Sequence, residues 1–391
     1  MSKIISVIRA LILVIFALLY RLATLPIPKK KNLWIFGSWK GKNFSDNSRT
    51  LFEYVQKNHP EIESVWISKN EKVLSEVRAL GHKTIDYRTL YGKLFVTRAM
   101  VSIQTESNED TGKFKISRTK IIQLWHGIGD AKTIYNSMNP IKKWLVEIYS
   151  ETHQKSLWMT SSEHQKDNIH EYFKTPLKNI YVTGTPRTDA ILEHKKYDYF
   201  ENLKNQYCNA KLIAYMPTHR KFGENQYNIL QQSELEMVNN FLRTNDMLLL
   251  IKPHPLEAYK YKNKDTQYSN IIVLLGEVFS NTQDYLHYFD TLISDYSSVS
   301  YDYLCLNKPI ILFTYDFQEF KKTDMGLRDD YIEVSPGPHC TTWEEVCHEL
   351  SNAFTRDNYR EKRERLIPRY YKYIDDHNCE RVFEQIIKIC Y

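Results

Sequence analysis

Two textures alternate along most of the chain. Short runs of Val, Ile, Leu and aromatic residues are followed by longer stretches whose apolar positions recur at helical spacing. The runs at 33–36, 64–67, 101–104, 121–125, 157–160 and 180–182 read as a first series of strands, with helical patterns such as 47–57 and 162–173 between them. A second series follows at 212–216, 247–251, 271–275, 291–294 and 310–313. Strands that alternate with helices predict parallel sheets joined by crossover helices. The polar stretch 194–210 lacks strand character and separates the two series, and 107–119 reads as a polar loop. The expected fold is therefore α/β, with two Rossmann-like domains, 29–206 and 207–391, facing each other across a cleft. Sheets of this kind bind ligands at the carboxyl ends of their strands, so chemistry is expected just after the strand runs.

The start of the chain breaks this pattern. Residues 4–27 are apolar apart from Arg9 and Arg21, and the uncharged stretch between the arginines, 10–20, is 11 residues. A spanning helix needs about 20. Pro26 and Pro28 stop the helix, and Lys29, Lys30 and Lys31 follow as a cluster suited to anionic lipid. Residues 1–28 are expected to form a membrane-associating helix that lies on the cytoplasmic face of the cell membrane. A spanning helix and a cleaved signal peptide are the competing readings.

Composition narrows the partners. A chain of 391 residues with 42% hydrophobic and 26% charged positions can fill two cores. The balance of 53 basic and 47 acidic residues leaves +6. That excess is too mild to argue for nucleic acid, and it suits an anionic substrate or membrane face. The six cysteines form no CxxC pair, so reduced thiols are expected.

Four polar clusters stand directly after strand runs. In Gln123-Leu124-Trp125-His126-Gly127, an imidazole followed by glycine can accept a proton from an attacking hydroxyl; a histidine satisfied by local hydrogen bonds is the plainer alternative. In Tyr215-Met216-Pro217-Thr218-His219-Arg220, the Arg220 fork suits phosphate, unless it is an ordinary loop arginine. In Lys252-Pro253-His254-Pro255, two prolines fix the direction of His254, though a rigid turn with an incidental histidine fits too. In Ser294-Asp295-Tyr296-Ser297-Ser298, hydroxyls open a helix whose N–H groups can cradle phosphate; a serine N-cap reads equally well. Asp295 could cap that helix or orient a neighbour. No DxD, GxxxxGK[ST], HExxH or GxSxG motif is present, which argues against the chemistries those motifs serve.

Taken together these clusters resemble the CDP-glycerol glycerophosphotransferase family of teichoic acid and capsule synthesis. The resemblance runs from about Leu33 to the C-terminus. It includes Phe36-Gly37-Ser38, Asp46-Asn47-Ser48, QLWHG, Gly184-Thr185-Pro186-Arg187 with Asp189, YMPTHR, KPHP and SDYSSVSYDYLCLNKPIILFTYD, in the family's order. It implies a GT-B-like domain pair, an N-terminal membrane-binding region, and no cofactor or metal. The donor would be CDP-glycerol or CDP-ribitol, and the acceptor a lipid-linked saccharide or polyol phosphate. Carried over by motif, His126 and His254 are the expected catalytic residues. Arg220, Lys252, Ser297, Ser298, Asp295 and Asp302 are expected around the CDP-polyol. Two departures stand out: Ile128-Gly129-Asp130-Ala131-Lys132 where the family more often has Leu-Lys, and His219 where an aromatic ring is usual. The rivals are a nucleotide-sugar glycosyltransferase or epimerase of the same build and a non-catalytic membrane scaffold.

Overall fold

The computed structural model describes residues 19, 22–112, 118–127, 156–220, 232–254, 268–275, 279, 281–322, 327 and 330–391. They pack as two units. The first holds the described residues up to His126, residues 156–189 and Lys372–Tyr391; the second holds Gly127 and Ala190–Tyr371. The expected leader, 1–28, lies largely outside the described residues. Among those residues no helix is long and apolar enough to cross a membrane.

The first unit is built on a parallel sheet of β1 (Lys30–Phe36), β2 (Glu63–Ser68), β3 (Thr84–Asp86), β4 (Ala99–Gln104), β5 (Lys120–Gln123), β6 (Leu157–Thr160) and β7 (Ile180–Val182), in the order β3-β2-β1-β4-β5-β6-β7. Helices cover both faces, so the central strands are buried on both sides. Trp34 and Phe36 of β1 face a core completed by Leu51, Phe52 and Val55 of the helix Asp46–Asn58 and by Val382, Phe383 and Ile386 of the C-terminal helix. Leu33 and Ile35 face the opposite core, against Phe95 and Val96 of the helix Leu90–Thr97.

The last helix, Asn378–Cys390, is thus part of the first unit. Its amino end is held by Asp189, whose carboxylate accepts from the Asn378 amide N–H at 3.0 Å, the Asn378 side chain at 2.6 Å and the Cys379 N–H at 2.6 Å. A carboxylate there satisfies otherwise orphaned donors and suits the helix dipole. Gly184 has φ +79° and lies so close that a Cβ would meet Asn378 Oδ1 at 1.6 Å. No larger residue fits that approach.

The second unit repeats the plan with β8 (Lys211–Tyr215), β9 (Met247–Ile251), β10 (Ile271–Val273), β11 (Thr291–Ser294), β12 (Ile310–Phe313) and β13 (His339–Cys340), in the order β10-β9-β8-β11-β12-β13, all parallel. Leu212 and Ala214 face one core and Ile213 and Tyr215 the other, the two-residue alternation of a strand covered on both sides. Residues 194–210 include the helix Asp198–Gln206, whose Phe200 and Leu203 are buried in the second unit's core.

In each sheet the strand order changes direction once, between β1 and β4 and between β8 and β11. Such a switch leaves a crevice at the carboxyl edge where ligands bind. The expected pair of parallel α/β sheets is what the chain forms. The strand expected over 121–125 stops at Gln123, because Trp125 turns to φ +56°. The short edge strands β3 and β13 had no counterpart in the sequence reading.

Candidate functional site

At the carboxyl edge of the first sheet, the segment after β5 is fixed by two side chains, Gln123 and Asn47. The Gln123 side chain accepts from the Trp125 N–H at 3.0 Å. Asn47, at the start of the helix Asp46–Asn58, donates through Nδ2 to the carbonyls of Leu124 (3.2 Å) and Trp125 (2.8 Å). Its Oδ1 accepts from the Arg187 N–H at 2.8 Å. One amide thereby ties β5's exit to the helix Pro186–Leu192.

His126 follows, half-buried between Trp125, with ring centroids 4.2 Å apart, and Trp39, at 5.4 Å. Its Nδ1 lies 3.2 Å from the Thr105 carbonyl. A carbonyl can only accept, so Nδ1 carries the proton and Nε2 keeps its lone pair. Burial lowers the imidazole's pKa below 6.5, opposed by the nearby Asp46 carboxylate and the Thr105 bond. The ring is therefore neutral at physiological pH and able to accept a proton.

Thr105 is positioned by Asp110. That fully buried carboxylate accepts from the Lys40 N–H at 2.7 Å and from the Thr105 and Glu106 N–H groups at 2.8 Å each. Burial pushes Asp110 up to about 6, against the pull of those backbone bonds. Four non-glycine residues around this edge, Trp39, Lys40, Asp46 and Trp125, have positive φ. Backbone of that kind is costly and concentrates where geometry is imposed by function.

At the carboxyl edge of the second sheet, four strand exits carry polar groups. Lys252 and His254 follow β9, with the Lys252 N–H donating to the Tyr215 carbonyl at 2.9 Å. Burial lowers the Lys252 pKa. Pro253 is buried, whereas Pro255 lies outside the described residues. The His254 ring stacks on His219 from the neighbouring β8 exit, with centroids 5.4 Å apart at 29°. The residue that departs from the family's aromatic thus forms a ring contact with His254. Ser297 and Ser298 lie half-buried after β11, before the short helix Val299–Leu304. Gly127 packs with this unit, and a Cβ there would sit 3.3 Å from Ser298 Oγ.

Arg220, expected as a fork suited to phosphate, is engaged by two carboxylates. Its side chain is only 10% exposed, and it pairs with Asp295 at 2.8 Å and Asp316 at 2.6 Å. It also donates to the Thr218 carbonyl at 2.8 Å. The rings of Tyr296, Tyr315 and Phe320 lie 5.1–5.5 Å from the guanidinium carbon. Burial works against its charge, but the two carboxylates outweigh it and hold its pKa above the ordinary value. Asp295 is likewise committed to protein: it accepts from Thr218 N–H at 2.9 Å and Thr218 Oγ at 2.7 Å. Asp302 is buried and accepts from Gln283 at 3.1 Å. Arg220, Asp295 and Asp302 brace the loops, and Lys252, His254, Ser297 and Ser298 are half-exposed at this edge.

The sequence reading did not single out Trp39, Thr105 or Asp110, and it noted Asn47 only as part of a motif. Asp110 sits in a segment read as polar loop. Among the described residues no group of three or more His, Cys, Asp or Glu side chains could hold a metal ion.

Comparison with known proteins gives the family. The model of the CDP-glycerol:poly(glycerophosphate) glycerophosphotransferases matches residues 18–388. Similar proteins include the teichoic acid poly(glycerol phosphate) polymerases of Staphylococcus epidermidis (24% identical, 86% of this chain, 48% of that protein) and Bacillus spizizenii (27%, 88% and 89%). A teichoic acid poly(ribitol-phosphate) polymerase of Bacillus spizizenii is 25% identical over 92% of this chain and 57% of its own length. The chain thus spans about half the length of some curated relatives and most of another. In fold it is similar to the solved wall teichoic acid polymerase TagF, with a TM-score of 0.79, 21% identity, and coverage of 100% of this chain and 98% of that one. With a family model matched over nearly its whole length, the chain belongs to the CDP-glycerol:poly(glycerophosphate) glycerophosphotransferase family.

Proposed function

We propose that this protein transfers glycerol phosphate from CDP-glycerol to a hydroxyl of a lipid-linked cell-wall or capsule polymer precursor, releasing CMP. It acts at the cytoplasmic face of the membrane. The observation that carries the reading is the His126 imidazole at the carboxyl edge of the first sheet, its Nδ1 held by the Thr105 carbonyl so that Nε2 keeps its lone pair.

In this mechanism the acceptor hydroxyl gives its proton to His126 Nε2 as its oxygen attacks the β-phosphorus of the donor. The new O–P bond forms as the bond to the CMP oxygen breaks. His254, Lys252, Ser297 and Ser298 hold the diphosphate and offset the charge on the departing CMP, the larger share of catalysis in phosphoryl transfer. Arg220, Asp295 and Asp302 hold the strand exits in place. The relative named as a ribitol-phosphate polymerase favours CDP-ribitol as the second reading.

The test is incubation with a lipid-linked disaccharide and either CDP-glycerol or CDP-ribitol, followed by CMP assay and mass analysis. The expected result is CMP release with a product heavier by one or more glycerol phosphate units. Turnover of UDP-sugars with no CMP from either CDP-alcohol would overturn the reading. A second outcome concerns pH. Burial lowers the His126 pKa from its ordinary value, so its base form predominates at neutral pH and above. We expect kcat/KM to be flat from pH 7 upward on this limb and to fall only below the ordinary histidine range. A midpoint at or above 6.5 would contradict the buried, neutral imidazole.

A further inference from the structure

The helix Leu90–Thr97 has two apolar sides, and only one is used by the core. Phe95 and Val96 are buried against Leu33, Ile35, Val65 and Ile67. Leu90, Tyr91 and Leu94 are 75%, 64% and 51% exposed. At about 100° per residue these three fall within an arc of about 100° on the helix. The helix is firmly set: Thr89 caps it by accepting from the Gly92 N–H at 2.9 Å, and Gly92 is so close to β3 that a Cβ would meet the Asp86 carbonyl at 2.0 Å. A rigid helix that exposes two leucines and a tyrosine side by side needs something to cover them.

The surroundings say what kind of cover. The stretch 90–98 contains no acidic residue, and Lys93 and Arg98 are exposed on it. The start of the fold is fastened to the carboxyl end of the same helix. Lys29 Nζ donates to the Thr97 carbonyl at 2.6 Å, and the Lys30 N–H donates to the Arg98 carbonyl at 2.8 Å. Arg118 donates to the carbonyls of Leu25 and Ile27 at 2.7 and 3.0 Å. Leu19, Leu22 and Leu25, just ahead of this junction, are exposed as well.

We infer that the Leu90, Tyr91 and Leu94 edge of this helix inserts into an anionic lipid surface, a second membrane contact beside the N-terminal apolar segment. Exposed leucines enter the acyl boundary, the tyrosine suits the headgroup level, and Lys31, Lys93 and Arg98 meet lipid phosphates. Two contacts hold a peripheral protein far better than one, because the second binds at high local concentration. The inference rests on the membrane location proposed above.

The test is flotation of the full chain with vesicles of phosphatidylcholine alone or mixed with phosphatidylglycerol. The wild type is expected to float with the mixed vesicles. The Leu90→Glu/Leu94→Glu pair is expected to lower the bound fraction about tenfold or more, with an unchanged thermal melt because both side chains are exposed. The milder Leu90→Ser/Leu94→Ser pair stands in if the glutamates impair folding. Equal binding by wild type and variant overturns this inference alone. Failure of the wild type to float overturns the membrane location and the inference with it. A wild-type dimer that the variant dissolves overturns it in favour of a second copy as the cover.

Discussion

Arg220→Ala will destabilise the second unit by about 3–5 kcal/mol, the usual cost of removing one member of a buried ionic cluster. The reason is what the substitution leaves behind. Asp295 and Asp316 have side chains 2% and 4% exposed and both face the guanidinium. Without it two carboxylates are left buried near each other with their shared cation gone. The damage spreads because each carboxylate has a second task. Asp295 holds Thr218, and Asp316 accepts from the Tyr296 hydroxyl at 3.1 Å. Three strand exits, those of β8, β11 and β12, therefore lose a common pin. Arg220→Lys should fall in between, since it keeps a charge but not the fork that reaches both acids and the Thr218 carbonyl. Urea unfolding of the three proteins decides the matter. A loss under about 1 kcal/mol for the alanine variant would return Arg220 to the role of a ligand-facing cation.

His126→Ala is expected to lower the rate of CMP release by about 10²–10⁴-fold while leaving the protein folded. The ring lies half-buried between two tryptophans, and its hydrogen bond among the described residues is to the Thr105 carbonyl. Its loss leaves a small gap and a carbonyl that water can reach. The same variant should also lose the acid limb of the pH profile. CMP release within about threefold of wild type would remove the imidazole from the proton-transfer step. Asp110→Asn offers the contrasting case. It leaves the imidazole in place and weakens the carboxylate that holds the Lys40, Thr105 and Glu106 N–H groups.

The division between what could and could not be read from the sequence follows physical lines. Buried central strands announce themselves. Met247–Ile251 and Ile310–Phe313 are continuous apolar runs, and they form strands within those bounds. The edge strands Thr84–Asp86 and His339–Cys340 are two or three residues long and carry no such run. Residue type at the strand exits pointed to both edges, because exits in a parallel sheet share one side. It could not tell a cation free for phosphate from one already neutralised. Arg220 looks like a ligand in YMPTHR only while Asp316, ninety-six residues away, is left out. Asp110 was hidden for the opposite reason. A carboxylate in a polar segment looks solvated, and only the fold turns three backbone N–H groups toward it. The docking of Asn378–Cys390 on the first unit was equally invisible, since it depends on Asp189 and Gly184 far upstream.

That last helix ends in a detail with practical weight. Trp34 Nε1 donates to the Tyr391 hydroxyl at 3.1 Å, and the hydroxyl donates to the Lys31 carbonyl. Tyr391 is thus stitched to the first strand at Lys31, the last of the basic triplet Lys29, Lys30 and Lys31. A purification handle fused after Tyr391 would emerge at this corner. A polyhistidine handle there, protonated under mildly acidic conditions, would add cations next to those lysines and exaggerate affinity for acidic phospholipid. Quantitative work on lipid affinity is best done with the handle cleaved off.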